Sequence, residues 1–297
     1  MNFAKRIFLG LIKKNRYVPQ DFYARIHYEY YHNKKLNLEN PVEFSEKIQW
    51  LKVYYHLPVL TQLVDKYAVR SFVKERVGEQ YLNDIYKVYD RVSEVNFDEL
   101  PNEFVIKATH SSNTNIIVND KSKLDKLKAR YLMRKWMSQN LYYSGGQEWA
   151  YKNVKPRLIA EKILNPKEGL KDFRFFCFSG EPKFVQIGSM YEGKRYVSYY
   201  DLDWKKIPVV GVSPEHPVML DKPEQLEEMV QIAIKLSQGF PFVRADMYPM
   251  KDKIVFGEMT FYPNDGRVSY DPSIYNKIFG DYLVLPRIPE GQKHIVN

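Results

Sequence analysis

The stretch FVRADMYPMKDKIVFGEMTFYPNDG, residues 242–266, constrains this chain more than any other. It reads as two apolar strands, with Asp246 closing the first run and Glu258 closing the second. Twelve positions separate the two acids, the reach of a β-hairpin. Like charges within reach of each other repel and raise each other's proton affinity. A chain that needed only a sheet would gain nothing by aiming both at one place. A divalent cation removes the conflict. Hard oxygen ligands here suit Mg²⁺, which takes one or two carboxylates plus phosphate oxygens and waters. Arg244 lies two residues before Asp246 on the same strand face, within reach of a phosphoryl oxygen or a developing oxyanion. Thr260 lies beside Glu258 in the same way. The competing reading is a solvated hairpin rim.

Around this hairpin, helices and strand pairs alternate in blocks, which predicts α+β with antiparallel sheets, not a doubly wound α/β sheet. Residues 1–60 read as a helical segment, with NPVEFSEKIQWLKVYY placing Phe44, Ile48, Trp50 and Leu51 on one face. Residues 61–78 read as one further helix ending at Gly78. Strands follow at YLNDIYKVYD, at Phe104–Lys107 and at TNIIVND, then a helix over 123–140. YKNVKPRLIAEKIL ends in a buried-type strand, and DFRFFCFSGEPKFVQIGSMY is a strand, a glycine turn and a strand. KRYVSYYDLDWKK continues as strand and turn. KPEQLEEMVQIAIKLSQGF is a helix with Leu226, Met229, Val230, Ala233, Ile234 and Leu236 on one side. The sequence lacks GxGxxG after a strand and lacks GxxxxGK[ST], which removes the Rossmann and P-loop modes of nucleotide binding.

Composition narrows the partners. The 297 residues are 44% apolar and 27% charged, a globular balance with enough chain for a sizeable core. With 24 Tyr and 17 Phe, the aromatics are expected to build a tyrosine-rich core more than a stacking surface. The net charge of +9 comes without a basic block, which favours nucleotides, anionic sugars or anionic lipids as partners. No nucleic-acid signature is present, so nucleic acid is not expected. The single cysteine, Cys177, suits a reducing, cytoplasmic setting and reads as a packed hydrophobe. The six histidines show no zinc spacing. At the start, Phe3, Ile7, Phe8 and Leu11 share one helical face, flanked by Lys5, Arg6, Lys13, Lys14 and Arg16. This is either a helix docked on the body or one resting on an anionic membrane surface. It is too short to span a bilayer.

Three further stretches carry chemistry. FVIKATHSSNTNIIV ends an apolar strand in Lys107 at a polar loop, His110 to Asn115, that could place an ammonium and backbone N–H groups around a phosphate. PRLIAEKILN runs a strand into Glu161 and Lys162, an edge able to read an adenine. KDFRFFCF alternates Asp172 and Arg174 with aromatics, either an ion pair or an anion site. Each alone has a plain structural reading. Their order, a phosphate-reaching lysine, an adenine-type edge, then Arg-x-Asp and Glu-x-Thr on paired strands, is the component list of a nucleotide–Mg²⁺ clamp.

Here the chain resembles the ATP-grasp superfamily, and more closely its TupA-like family, found with bacterial capsule, teichuronopeptide and other surface-polysaccharide biosynthesis. NPVEFSEKIQWLK, DKYAVRSFV, LPNEFVIKATH, PRLIAEKIL, DFRFFCFSGEPKF, FPFVRADMY and FGEMTFYPNDG carry the likeness over roughly residues 20–285. The resemblance implies an ATP-grasp fold over 61–287, preceded by the helical segment and followed by a tail, 288–297. It implies that Lys66, Lys107 and the loop serines Ser111 and Ser112 contact the phosphates of ATP. Glu161, Lys162 and Leu164 would line adenine, and Glu168 the ribose. Asp246 and Glu258 would hold Mg²⁺, and Arg244, with Arg174, would steady the transition state. The segment YVSYYDLDWKK resembles a mobile cover from which Lys205 or Lys206 would reach the γ-phosphate.

Two departures stand out. Thr260 occupies the place of the family's second metal-binding asparagine, so that Asn264 or Asp265 would have to compensate. The phosphate loop HSSNTN also lacks glycine. The implied activity is ATP-dependent ligation of a carboxylate, such as a hexuronic acid, to an amino acid or amine through an acylphosphate. The alternatives are a glycosyltransferase of capsule or O-antigen synthesis, for which Asp201-Leu202-Asp203 is formally a DxD, and a non-catalytic membrane scaffold.

Overall fold

The structure, a computed structural model, describes residues 3–12, 17–164 and 169–297, with side chains from Ile7 onward. Glu168, Lys13, Lys14, Arg16 and the side chains of Phe3, Lys5 and Arg6 lie outside that description. The helices are α1 (Phe3–Ile12), α2 (Gln20–His32), α3 (Phe44–Tyr54), α4 (Val59–Val64), α5 (Val69–Arg76), α6 (Lys126–Met137), α7 (Leu141–Ser144), α8 (Leu226–Ser237) and α9 (Ile274–Tyr282). The strands are β1 (Ile85–Tyr89), β2 (Phe104–Ala108), β3 (Asn115–Val118), β4 (Leu158–Glu161), β5 (Asp172–Phe178), β6 (Glu181–Tyr191), β7 (Lys194–Asp201), β8 (Lys206–Ile207), β9 (Phe242–Pro249) and β10 (Ile254–Thr260).

They form two antiparallel sheets. The smaller runs β1-β4-β2-β3 and the larger β10-β9-β5-β6-β7-β8. Each sheet has its own core. The smaller packs Tyr89, Phe104, Ile106 and Leu158 against Met133 and Trp136 of α6. The larger buries Phe173, Phe175, Phe176, Val243 and Ala245 with α8 and with Phe44, Ile48 and Leu51 of α3. Tyr28, Tyr199, Tyr200 and Tyr262 are fully buried there, so tyrosine does build the core. On α8, Ile232 takes the inward place expected for Val230 and Ile234, which are only partly buried.

The single helix expected over 61–78 is two helices. Asp65 breaks it: its carboxylate accepts the backbone N–H groups of Tyr67 and Ala68, and Arg157 closes on its other oxygen at 2.8 Å. A side chain that satisfies backbone donors in this way competes with the helix and restarts it. The break leaves Lys66 at the turn between α4 and α5.

The helices of residues 1–60 are not a separate body. Helices α2 and α3 share the core of the large sheet and together hold one turn, Asn264-Asp265-Gly266, which follows β10. All three turn residues are left-handed, with φ of 49°, 60° and 64°. Four side chains hold the turn in that conformation. Lys52 Nζ lies 2.5 Å and His27 Nε2 2.8 Å from the Asp265 carboxylate. Gln49 donates to the Asp265 carbonyl, and His32 meets the Gly266 carbonyl. Lys52 is 1% exposed. Burial opposes the charge on Asp265, but Lys52 and His27 outweigh it and hold the carboxyl well below its usual range. Among the described residues no helix is long and apolar enough to cross a membrane.

Replacing Lys52 by Met strands the Asp265 charge and should cost about 3–5 kcal/mol in urea unfolding. The depressed carboxyl binds its proton more weakly folded than unfolded. Its stabilisation is therefore complete above about pH 4 and lost as pH falls toward the lower folded value. Asp265→Asn should flatten that acid limb.

Candidate active site

The hairpin β9–β10 sets the site. Its register pairs Asp246 directly with Glu258, and Arg244 with Thr260. A bulge at Gly257 makes this alignment. A side chain at 257 would come within 3.0 Å of the Asp246 carbonyl and 2.9 Å of the Tyr248 ring, so glycine is required. The pairing continues across the sheet: Asp246 faces Arg174 on β5, Arg174 faces Gln186 on β6, and Gln186 faces Tyr199 on β7. One polar row therefore crosses five strands, tied by Arg174 to Gln186 at 3.0 Å and Gln186 to the Tyr199 hydroxyl at 2.6 Å.

Arg244 lies between the two acids. Its Nε and Nη2 donate to the two oxygens of Asp246 at 2.7 and 2.5 Å, and Nη2 also reaches Glu258 and Thr260, each at 3.3 Å. Lys66 approaches the other oxygen of Glu258 at 3.6 Å. Burial pushes the Asp246 carboxyl up to about 6 despite its arginine. For Glu258 burial pushes the same way, but Lys66 and Arg244 win and its carboxyl is lowered. Arg174 pairs with Asp172 and lies 3.9 Å from Asp246. Arg195 meets Asp172 from β7 at 3.3 Å, over Gly188, where a Cβ would strike both partners.

The β10, β9 and β5 members of this row form one wall of a 340 Å³ cleft whose other wall is the small sheet, within the range of small-molecule sites. Lys107 of β2 and Glu161 of β4 form an ion pair at 3.3 Å on that second wall. The loop tip Ser112, Asn113, Thr114 and Asn115 also lines the cleft. Lys162, Ile163 and Leu164 close the end where the chain passes between the sheets. The cleft thus gathers Lys66, Lys107, Ser112, Glu161, Lys162, Leu164, Arg174, Arg244, Asp246 and Glu258.

Other expected site residues lie elsewhere. Ser111 is buried behind the loop tip, where its carbonyl accepts Lys66 Nζ at 2.8 Å and its hydroxyl meets Thr114. Asn264 is exposed in the left-handed turn and does not line the cleft; Asp265, beside it, is committed to Lys52 and His27. Lys205 lies in the β7–β8 turn at the far edge of the large sheet, its N–H bound to Asp201. That turn is tied to the edge of the sheet and does not lie over the cleft. Trp204 is buried in it, stacked on Tyr200 and bonded to the Leu220 carbonyl, and Lys206 pairs with Glu215. Asp201 and Asp203 do not line the cleft either. Cys177 is wholly buried and burial pushes its thiol up to about 12.

Two cleft residues had no signal in the sequence. Arg70 faces the cleft from α5. Asn83 donates to the Glu161 carboxylate at 2.9 Å and the Lys162 carbonyl at 2.8 Å. Both partners are acceptors, which fixes the orientation of its amide. Lys162 N–H donates to the Asp84 carbonyl, so the segment before β1 pins the edge after β4.

The donor set fits Mg²⁺ brought with phosphate oxygens. Two carboxylates lie directly opposite across a hairpin, and no group of three or more metal-type side chains occurs among the described residues. That is too few for an all-protein cage and suits an ion that shares its shell with substrate.

Comparison with known proteins gave three findings. A family described as TupA-like ATPgrasp matches residues 46–284. No curated protein matches. Solved structures that align include D-alanine–D-alanine ligase from Bacillus anthracis, at 16% identity over 73% of this chain and 64% of that one, TM-score 0.42. They also include an L-amino acid ligase from Bacillus licheniformis, at 14% identity over 78% of this chain and 50% of that one, TM-score 0.43. The chain thus spans half to just under two thirds of the length of these two.

Asn83→Ala should cost about 1–3 kcal/mol in thermal or urea unfolding, because the buried Glu161 carboxylate loses a donor. Asn83→Asp should cost more, since it sets a second carboxylate beside the first.

Proposed function

Because this chain belongs to the TupA-like ATP-grasp family, we propose that it is an ATP- and Mg²⁺-dependent ligase joining a carboxylate to an amine through an acylphosphate. One observation carries the reading. A single cleft between the two sheets unites a basic set, Lys66, Lys107, Arg174 and Arg244, with the acid pair Asp246 and Glu258.

In this reading the small sheet holds the nucleotide. Lys107 and the 112–115 loop tip take phosphate oxygens, with Lys66 approaching from the turn after α4. Backbone groups of Lys162 to Leu164 face adenine, because the Glu161 side chain is already engaged by Lys107 and Asn83. Glu168 is proposed for the ribose from the family resemblance alone. Asp246 and Glu258 would hold Mg²⁺, which neutralises charge on the transferring phosphoryl group. Arg244 and Arg174 stabilise the oxyanion that develops as the acceptor carboxylate takes that group and ADP departs. The amine then attacks the acyl carbon and phosphate leaves.

The acceptor we propose is a uronic-acid-type surface polysaccharide or its precursor, and the donor an amino acid or amine. The support is the family resemblance together with the basic balance of the chain, +9. Action in the cytoplasm, at the inner face of the membrane, is part of the proposal. Its support is that Ile7, Phe8 and Leu11 of α1 are 51%, 60% and 62% exposed in a stretch of basic sequence.

Thermal-shift titration tests the nucleotide half of the reading. Mg²⁺·ATP should raise the melting temperature of the wild type by several degrees, and Glu258→Ala should abolish the shift. A shift with UDP- or CDP-sugars and none with ATP would overturn it in favour of a glycosyltransferase.

A further inference from the structure

Six basic side chains line the cleft between the sheets. Lys66, Lys107, Lys162, Arg174 and Arg244 each meet a carboxylate. Arg70 does not. Among the described residues its guanidinium has no hydrogen-bond or ion-pair partner. It is half-buried, so its donors are partly withdrawn from water without a protein acceptor in return.

The local sequence fixes where along the cleft this cation stands. Val69 and Val73 form the buried side of α5, and Arg70 follows the first of them. After α5 the chain doubles back. Val77 and Gly78 both donate to the Val73 carbonyl, and Gly78 holds a φ of 116°, a conformation open to glycine. Lys74 closes on Glu79 at 2.6 Å, and the turn Glu79–Tyr81 packs against α5. The returning chain delivers Leu82 and Asn83 to the cleft that Arg70 lines. Asn83 is bonded to the Glu161 carboxylate and the Lys162 carbonyl. Burial lowers the proton affinity of Arg70, and Glu161 leads the acids that act against this, followed among others by Asp84. Arg70 therefore belongs to the end of the cleft marked by Glu161 and Lys162. Lys66, four residues earlier, serves the other end, toward Glu258 and the Ser111 carbonyl.

In the ligase reading the backbone of Lys162 to Leu164 meets the edge of adenine that carries N1 and the 6-amino group. Next to that amino group lies N7, which only accepts. Lys107 is engaged by Glu161 at 3.3 Å and is assigned to phosphate. The charged donor left over at this end is Arg70.

We propose that Arg70 recognises the nucleobase, donating a hydrogen bond to N7 of adenine. This rests on the ligase reading and adds to it a base contact made from α5, outside both sheets. The segment Val69–Asn83 then acts as one clamp. Asn83 at its end holds the strand edge that the base lies against, and Arg70 near its start holds the base itself. A cation acting only at a distance on the phosphates would not register which base is attached.

Calorimetric titration with Mg²⁺·ATP and with Mg²⁺·7-deaza-ATP separates these two roles. The analogue carries a C–H group in place of N7 and keeps all three phosphates. Wild type should bind 7-deaza-ATP about tenfold more weakly than ATP, the loss of one charge-assisted hydrogen bond. Arg70→Met should bind ATP about tenfold more weakly than wild type does and should bind the two nucleotides equally. A wild type that binds both equally overturns the assignment without recourse to any variant. So does an Arg70→Met protein that keeps the wild-type preference for ATP over the analogue. Either result leaves the ligase reading intact. A wild type that binds neither nucleotide overturns both.

Discussion

A guanidinium buried between two carboxylates sets the terms for the rest of this structure. Asp246 and Glu258 face each other across neighbouring strands, an arrangement that repels unless a cation intervenes. Arg244 intervenes from within the same hairpin, with both oxygens of Asp246 and one of Glu258 in reach. Burial works against its charge, yet the two acids keep it firmly protonated. The arrangement makes the acids tolerable without metal and does not saturate them, since the second oxygen of Glu258 meets only Lys66 at 3.6 Å. Such a pair can hand part of its coordination to an incoming ion without first uncovering a bare charge.

The helical N-terminus then has an architectural reason. Helices α2 and α3 do not approach the cleft with a catalytic side chain. They grip the turn after β10, and through Asp265 they seat the 145–148 loop. A buried lysine–aspartate pair is poor evidence of stability gained, because desolvation offsets much of its attraction. Its value here lies in registration. Three left-handed residues in succession and a glycine with no room for a methyl group are placed by contacts that a hydrophobic substitute could not direct.

Much of this was legible in the sequence because it is written in local pattern. The hairpin, its facing acids, the phosphate-loop strand and the DFRFFCF strand all follow from alternation and turn chemistry within some twenty residues. What escaped was set by distant partners. Asp65 breaks a periodic helix because Arg157, ninety-two positions later, helps to hold it. Asn83 enters the cleft by bonding to a strand seventy-eight positions on. The family resemblance implies Lys205 as a lid lysine, but the buried Trp204 ties that turn to the sheet edge. The family resemblance offers Asn264 as a substitute metal ligand for the asparagine that Thr260 replaces, and in the structure it lies exposed in a left-handed turn.

The two hydrophobic cores share no residue. That separation predicts two cooperative units, each opening without dissolving the other. The smaller, built on four short strands and α6, has less apolar surface to hold it shut. Its amides should trade hydrogen for deuterium sooner than those of the β5–β9 centre. A nucleotide bridging both walls would act as a staple between them, and the protection of the two halves would converge.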